Sequence, residues 1–204
     1  MENFFRIRAE KQDHIIKAAF MVFGRQGYRK ASVADVAKEA GITKGMITYY
    51  FGSKKNLYLY LLEFSHKSVV QAVKDLTGSD NIDFFERLKN VTLLQVEAIK
   101  KYPAQIGFIT SSYYETDPEV AQDVARICAD EDDMINSMLL EGVDFSRFKP
   151  GVDPRLLCKF SLWASSGIFE ELFNAASAEK AEELTAEFFQ CLDLMRRTFQ
   201  RKGA

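Results

Sequence analysis

The twenty residues from Ser32 to Phe51, SVADVAKEAGITKGMITYYF, leave few ways for this part of the chain to fold. Ser32 stands three residues before Asp35, so its hydroxyl can accept a bond from the Asp35 amide as a helix N-cap. Val33, Val36 and Ala37 then fall on one helical face. Gly41 supplies a residue that tolerates positive φ. Thr43 can cap a second short helix, whose inward residues are Ile47 and either Tyr50 or Phe51. Two short helices across a glycine-bearing turn form the helix-turn-helix unit, and its second helix has the dimensions to enter a DNA major groove. The same pattern also occurs in all-α proteins that bind no DNA.

Charge separates these readings. Residues 1–60 hold eleven Lys or Arg against five Asp or Glu, and the remainder holds sixteen against twenty-four. A basic end on an otherwise acidic chain of net charge −2 is the asymmetry expected of a nucleic-acid-facing head on a repelling body.

Glycine and proline are scarce, and no alternating period-two segment bounded by turn residues stands out, so the chain reads as all-α with about nine helices. The first is expected over Phe5 to Arg25, burying Ile15, Ala19, Val22 and Phe23, with Gly27 ending it. After the motif at 32–51, Ser53 caps a long helix over about 53–75. The stretch LTGSDN, Leu76 to Asn81, is the clearest linker candidate. Pro103 ends a helix from Ile82, and Ala104 to Tyr114 forms a short apolar one. Asp117-Pro118 and Asp153-Pro154 each place an acceptor before a first-turn proline and so open helices to about Leu140 and Ala176. Ser177 caps the last helix, to about Arg201. The expected organisation is a three-helix helix-turn-helix head at 1–52, a linking helix at 53–75, and a helical-bundle body at 76–204. No run approaches the roughly eighteen apolar residues of a membrane span, and the charged opening MENFFRIRAEKQDH lacks a signal-peptide apolar region. Cys128, Cys158 and Cys191 are widely spaced with no Cys-x-x-Cys pair. These features suit a cytoplasmic chain without a membrane segment.

A helix that reads DNA offers donors to phosphates and base edges on one face while the other is packed rigidly. The outward candidates are Lys44, Gly45, Met46, Thr48 and Tyr49. Gly45 would let the backbone approach the duplex, Thr48 offers a hydroxyl and a methyl, and Tyr49 can reach a phosphate. Lys54 opens the next helix, where its charge adds to the free amides. Thr43 is a cap whose hydroxyl can also face a phosphate. Arg6, Arg8 and Lys11 would suit an arm reaching the DNA backbone or minor groove, and suit a disordered terminus equally well.

The runs IIKAAFMVFGRQGY (Ile15 to Tyr28), SVADVAKEAGITKG (Ser32 to Gly45) and TYYFGSKKNLY (Thr48 to Tyr58) resemble the DNA-binding domain of the TetR/AcrR family of bacterial transcriptional repressors. The resemblance covers roughly the first quarter to third of the chain; the rest shows only helical texture. It implies DNA contacts at Ser32, Lys44, Gly45, Thr48, Tyr49 and Lys54. Two departures stand out: Thr48 replaces a tyrosine common in relatives, and Lys55, where an acidic residue is common, adds a positive charge. The resemblance also implies a homodimer on a near-palindromic double-stranded operator.

In the body, Leu184, Phe188, Cys191, Met195 and Phe199 form a stripe at three- and four-residue steps. Phe160, Ala164, Gly167 and Ile168 lie along the preceding helix. Together they read as a four-helix dimer interface, or as a monomer core. Phe84, Tyr102, Phe108, Tyr113, Met134, Met138 and Trp163 are the candidates to line a pocket for a small apolar or aromatic effector, or else to be core. The acidic Glu97, Glu115 and Asp130 to Asp133 would favour a cationic ligand or form a solvated face.

The reading is a ligand-responsive DNA-binding transcriptional regulator, a repressor released by its effector. The alternative is a non-specific architectural DNA-binding protein, against which the acidic body argues. An enzyme finds little support: His14 and His66 are the only histidines, no metal-site spacing appears, and no phosphate-cradling glycine loop is present. No cofactor or metal is expected.

Overall fold

A computed structural model describes residues 1–77, 83–174 and 177–201. Among these residues the chain is all-α, with ten α-helices, one 3-10 turn and no strand. The helices are α1 (Glu2–Phe5), α2 (Ala9–Lys30), α3 (Val33–Glu39), α4 (Lys44–Phe51), α5 (Lys54–Thr77), α6 (Phe84–Lys101), α7 (Pro103–Ser112), α8 (Ala121–Leu140), α9 (Pro154–Phe173) and α10 (Ala178–Phe199). The expected first helix is two, because a corner at Arg6–Arg8 sets α1 apart from α2. Gly27 does break α2, at φ 68° and ψ 174°, a conformation open chiefly to glycine, and one further turn carries the chain to Lys30. The linker expected at Leu76–Asn81 meets α5 running to Thr77, and residues 78–82 lie outside the described residues.

Helix starts follow local chemistry. Ser32 accepts from the Asp35 amide at 3.1 Å, and the Asp35 carboxylate accepts from the Ser32 amide at 3.0 Å, a complete capping box. Ser177 caps α10 through the Lys180 amide, and α9 opens at Pro154 with Asp153 accepting from the Arg155 amide. Asp117-Pro118 opens only a turn. Asp117 accepts from the Val120 and Ala121 amides, and α8 begins three residues later than the signal suggested.

Two compact units emerge. The first comprises Met1–Ser68 with Tyr102–Glu131, the second Val69–Lys101 with Asp132–Ala204, so α5 and α8 each contribute to both. The basic head therefore shares its unit with α7 and the first half of α8.

In the first unit α2 packs most heavily on α7. A Cβ at Gly24 would come within 3.2 Å of the Phe108 amide nitrogen, so the two backbones nearly touch there. Around that crossing, Tyr58 meets Phe23, Tyr28 and Phe108 with ring centroids 5.0–5.1 Å apart in edge-on geometry.

The core of the second unit gathers Phe84, Phe85, Leu88, Leu139, Phe148, Leu157, Cys158, Phe188 and Leu192. Burial pushes the Cys158 thiol up to about 11, so it acts as an inert packing group. Arg87 is buried and donates to the Met138 and Leu139 carbonyls at 3.3 Å, satisfying the end of α8 with a cation where the helix dipole is negative.

Asp83 ties three segments together. It accepts from Arg196 and from Gln200 Nε2 at 2.7 Å, with Arg147 Nη1 3.7 Å away. Burial works to raise its carboxyl, but the bonds from Gln200 and Arg196 prevail and hold it below the usual range. A depressed folded-state value stabilises above the ordinary carboxylate range, and that stabilisation is lost as pH falls through the folded value. Asp83→Asn should therefore cost about 1.5–3 kcal/mol at neutral pH, the range of hydrogen bonds to a charged group, and less in acid. Urea unfolding of both proteins along a pH series checks this; a cost independent of pH would show that the charge is immaterial.

A candidate nucleic-acid interface

The helix-turn-helix is built by its caps and its buried face. Val36, Ala37, Ile47, Tyr50 and Phe51 are all buried, so Tyr50 and Phe51 both point inward. Gly41, at φ 60°, turns the chain between α3 and α4. Thr43 caps α4 by accepting from the Met46 amide at 3.3 Å. With the inner face fixed, Lys44, Gly45, Thr48 and Tyr49 are all exposed, Tyr49 at 65%. These four of the five outward candidates share one solvent-facing surface, while Met46 is half-buried.

The remaining candidates differ. Ser32 is half-buried, and its hydroxyl both accepts from the Asp35 amide and donates to the Asp35 carboxylate at 2.6 Å, so its principal engagement is the cap. The Thr48 hydroxyl donates back to the Lys44 carbonyl at 3.2 Å. Lys54 is not a loose ammonium at a helix start. It donates to the Tyr28 carbonyl at 3.0 Å and lies 4.0 Å from the centre of the Tyr28 ring, fastening α5 to the end of α2. Lys55 adds no free charge: it donates to the Glu119 carbonyl and pairs with Asp123, both at 2.8 Å.

Sequence reasoning missed the acidic residues that hold the head elements. The Tyr28 amide, freed by the break at Gly27, donates to Glu115 Oε2 at 3.0 Å, and Arg29 donates to Asp117 at 3.2 Å. The bond from Lys55 holds Asp123 below its ordinary range, and Asp117 is lowered by the Glu119 amide and then by Arg29. Both carboxylates are therefore ionised at neutral pH and the tethers are in force. The signal was present as the acidic run from Glu115 to Asp123 opposite a basic head, but its role as a clamp depends on pairings some 65–90 residues apart.

In the body, Phe160, Ala164 and Gly167 are exposed, Phe160 at 54%, and so is Cys191. Phe188 is only 5% exposed and belongs to the core of its own unit, with Ile168, Met195 and Phe199 half-buried against that core. Phe188 itself is thus part of the core, while Cys191 of the same stripe faces solvent. The exposed face is instead widened by Leu156 and Trp163 on α9 and Leu194 on α10.

The seven pocket candidates do not come together. Phe108 lies in the core of the first unit, and Phe84 in that of the second with Met138 packed against it. Tyr102, Tyr113, Met134 and Trp163 are exposed. A largely apolar cleft of about 490 Å³ does exist between α6 and α10, lined by Leu93, Val96, Glu97, Lys100, Ala181, Glu182, Thr185, Ala186 and Phe189. Among the described residues no helix is long and apolar enough to cross a membrane.

Comparison with known proteins bears on the exposed face of α4. Residues 15–61 match the profile of bacterial regulatory proteins of the tetR family. The chain is 29% identical over 119 residues, 57% of its length, to the HTH-type transcriptional activator FasR of Mycolicibacterium smegmatis. It is 24% identical over 164 residues to the HTH-type transcriptional repressor KstR2 of Mycobacterium tuberculosis, covering 76% of this chain and 79% of that protein. The chain spans about half the length of FasR, 53%. In fold it is similar to a TetR family transcriptional regulator from Chloroflexus aurantiacus, with TM-score 0.75, 20% identity and 99% of each chain covered. It is likewise similar to the fatty acid degradation regulator FadR of Bacillus halodurans, with TM-score 0.73, 20% identity, and 88% and 96% covered. Capped helices, a rigid inner face, an exposed outer face on α4 and these relationships agree: residues 15–61 carry the DNA-binding domain of bacterial regulatory proteins of the tetR family.

Proposed function

We propose that this DNA-binding regulator acts as a homodimer on a near-palindromic operator and is released from it by a small apolar or aromatic effector, as a repressor. Gly45 carries the reading. It sits on the exposed side of α4, and a Cβ built there would meet only Thr43 Oγ1, at 3.8 Å. Gly45 is the second residue of α4, where glycine costs up to about 1 kcal/mol relative to alanine, and the protein's own packing has no use for it. A duplex pressed against α4 would use it. Gly45→Ala should therefore raise the melting temperature by roughly 2–4 °C and weaken operator binding by about tenfold, or about 1.4 kcal/mol. A stabilised variant that binds DNA as tightly as the parent would remove this argument.

One recognition helix offers two or three base contacts of about 1–3 kcal/mol each. A two-fold pair doubles them and sets the half-sites about 34 Å apart, or a multiple of that. The exposed apolar residues Leu156, Phe160, Trp163 and Leu194 support this pairing, since such a surface on α9 and α10 gains from being covered. The cleft between α6 and α10 supports an apolar effector. A coupling of about 3 kcal/mol between effector and operator would weaken operator binding roughly a hundredfold. Selection from random duplexes tests the whole reading: a symmetric enriched sequence supports it, and uniform retention of all sequences points to architectural binding instead.

A further inference from the structure

The turn before α2 and the first turn of that helix carry three cations in six residues, Arg6, Arg8 and Lys11, yet this is not a loose tail. Phe4 is fully buried. Its ring lies 4.7 Å from Phe51, 6.0 Å from Tyr50 and 5.8 Å from Tyr60, so it wedges between the last turn of α4 and the face of α5. Phe5 adds an edge contact to Tyr60 at 6.1 Å. Beyond this anchor the corner is closed on its other side. The Gln12 side chain donates to the Ile7 carbonyl at 2.8 Å, and the Lys11 and Gln12 amides donate to the Arg8 carbonyl at 3.0 and 3.1 Å.

Arg6 and Arg8 therefore project from backbone that is pinned at both ends, and both are exposed. The ion pair of Arg6 with Glu2 is 3.6 Å long between two solvated side chains, weak enough to exchange for a stronger anion. Their anchor grips the last turn of the same helix whose outer face presents Lys44, Gly45, Thr48 and Tyr49. Fixed guanidinium groups beside a reading helix match a phosphodiester backbone, to which Arg can bond through two N–H groups at once.

We propose that Arg6 and Arg8 contact the DNA backbone flanking the bases read by α4, and that Phe4 is the positioning residue that holds them there. This rests on the DNA-binding reading above. The test measures binding of the full chain to its selected operator and to an unrelated duplex of equal length over a series of salt concentrations. Arg6→Ala/Arg8→Ala should lower the slope of log K against log salt by about two on both duplexes, with the preference for operator unchanged. Phe4→Ala should lower the slope equally although both arginines remain, the triple variant should lose nothing more, and Phe4→Leu should restore the slope. An unchanged slope in the double arginine variant, with the parent still binding, overturns the contact. Additive losses in the triple variant overturn the positioning role. Should Phe4→Ala fail to fold by circular dichroism, the surface arginine pair decides the contact and Phe4→Leu the anchor. A parent chain that binds neither duplex defeats the DNA-binding reading itself, a result distinct from these.

Discussion

Replacing Glu131 with alanine should lower the free energy of unfolding by about 3–5 kcal/mol, the usual cost of removing one partner of a buried ionisable pair. Glu131 lies on α8 and faces His66 Nδ1 on α5, both side chains almost wholly out of solvent. Both residues belong to the first unit, Glu131 as its last residue on α8 and His66 two residues before its end on α5. Truncating Glu131 leaves the buried imidazole without that partner; His66→Ala strands the carboxylate, with a cost of the same kind. Replacing both by leucine removes both polar groups together, so His66→Leu/Glu131→Leu should recover most of the loss. Urea unfolding of the two single variants and the double, followed by fluorescence and by circular dichroism, reads this directly. A Glu131→Ala variant within about 1 kcal/mol of the parent, the scale of an exposed pair, would show the contact to be incidental.

Glu131 also marks where sequence reading stopped. It sits inside the acidic run from Asp130 to Asp133, which reads as a solvated face or a cation site, yet Glu131 is buried while its neighbours Asp130, Asp132 and Asp133 stay exposed. Local signals performed well where the physics is local. The caps at Ser32, Thr43, Asp153 and Ser177, the positive φ at Gly27 and Gly41, and the outward set on α4 all follow from interactions within four residues along the chain. Long-range pairing was illegible. Nothing near Lys54 or Lys55 announces that the first turns inward to Tyr28 and the second to Asp123. Likewise Phe4 looks like one more aromatic in a charged opening segment until Tyr50, Phe51 and Tyr60 close round it.

The body tests the same ambiguity most severely, because an apolar stripe has the same period whether it meets its own core or a second subunit. Burial separates the two cases. Phe188 on α10 is 5% exposed and packed in the core, whereas Phe160 and Trp163 on α9 are 54% and 66% exposed. One chemical change, phenylalanine to glutamate, should therefore have opposite consequences at the two sites. Phe188→Glu buries an unpaired carboxylate and leaves a void; the cavity alone costs about 3–5 kcal/mol, so the helical signal should be lost at ordinary temperature. Phe160→Glu combined with Trp163→Glu places charge on solvent-facing positions, which leaves the fold intact. Across a two-fold interface it would set like charges against each other and remove an aromatic anchor, for which about 2–4 kcal/mol is typical. The dimer dissociation constant should rise by roughly thirtyfold to a thousandfold at about 1.4 kcal/mol per decade, and operator affinity should fall with it. Sedimentation velocity decides the matter: a folded Phe160→Glu/Trp163→Glu variant that still runs as a dimer at low concentration places the subunit interface on some other face.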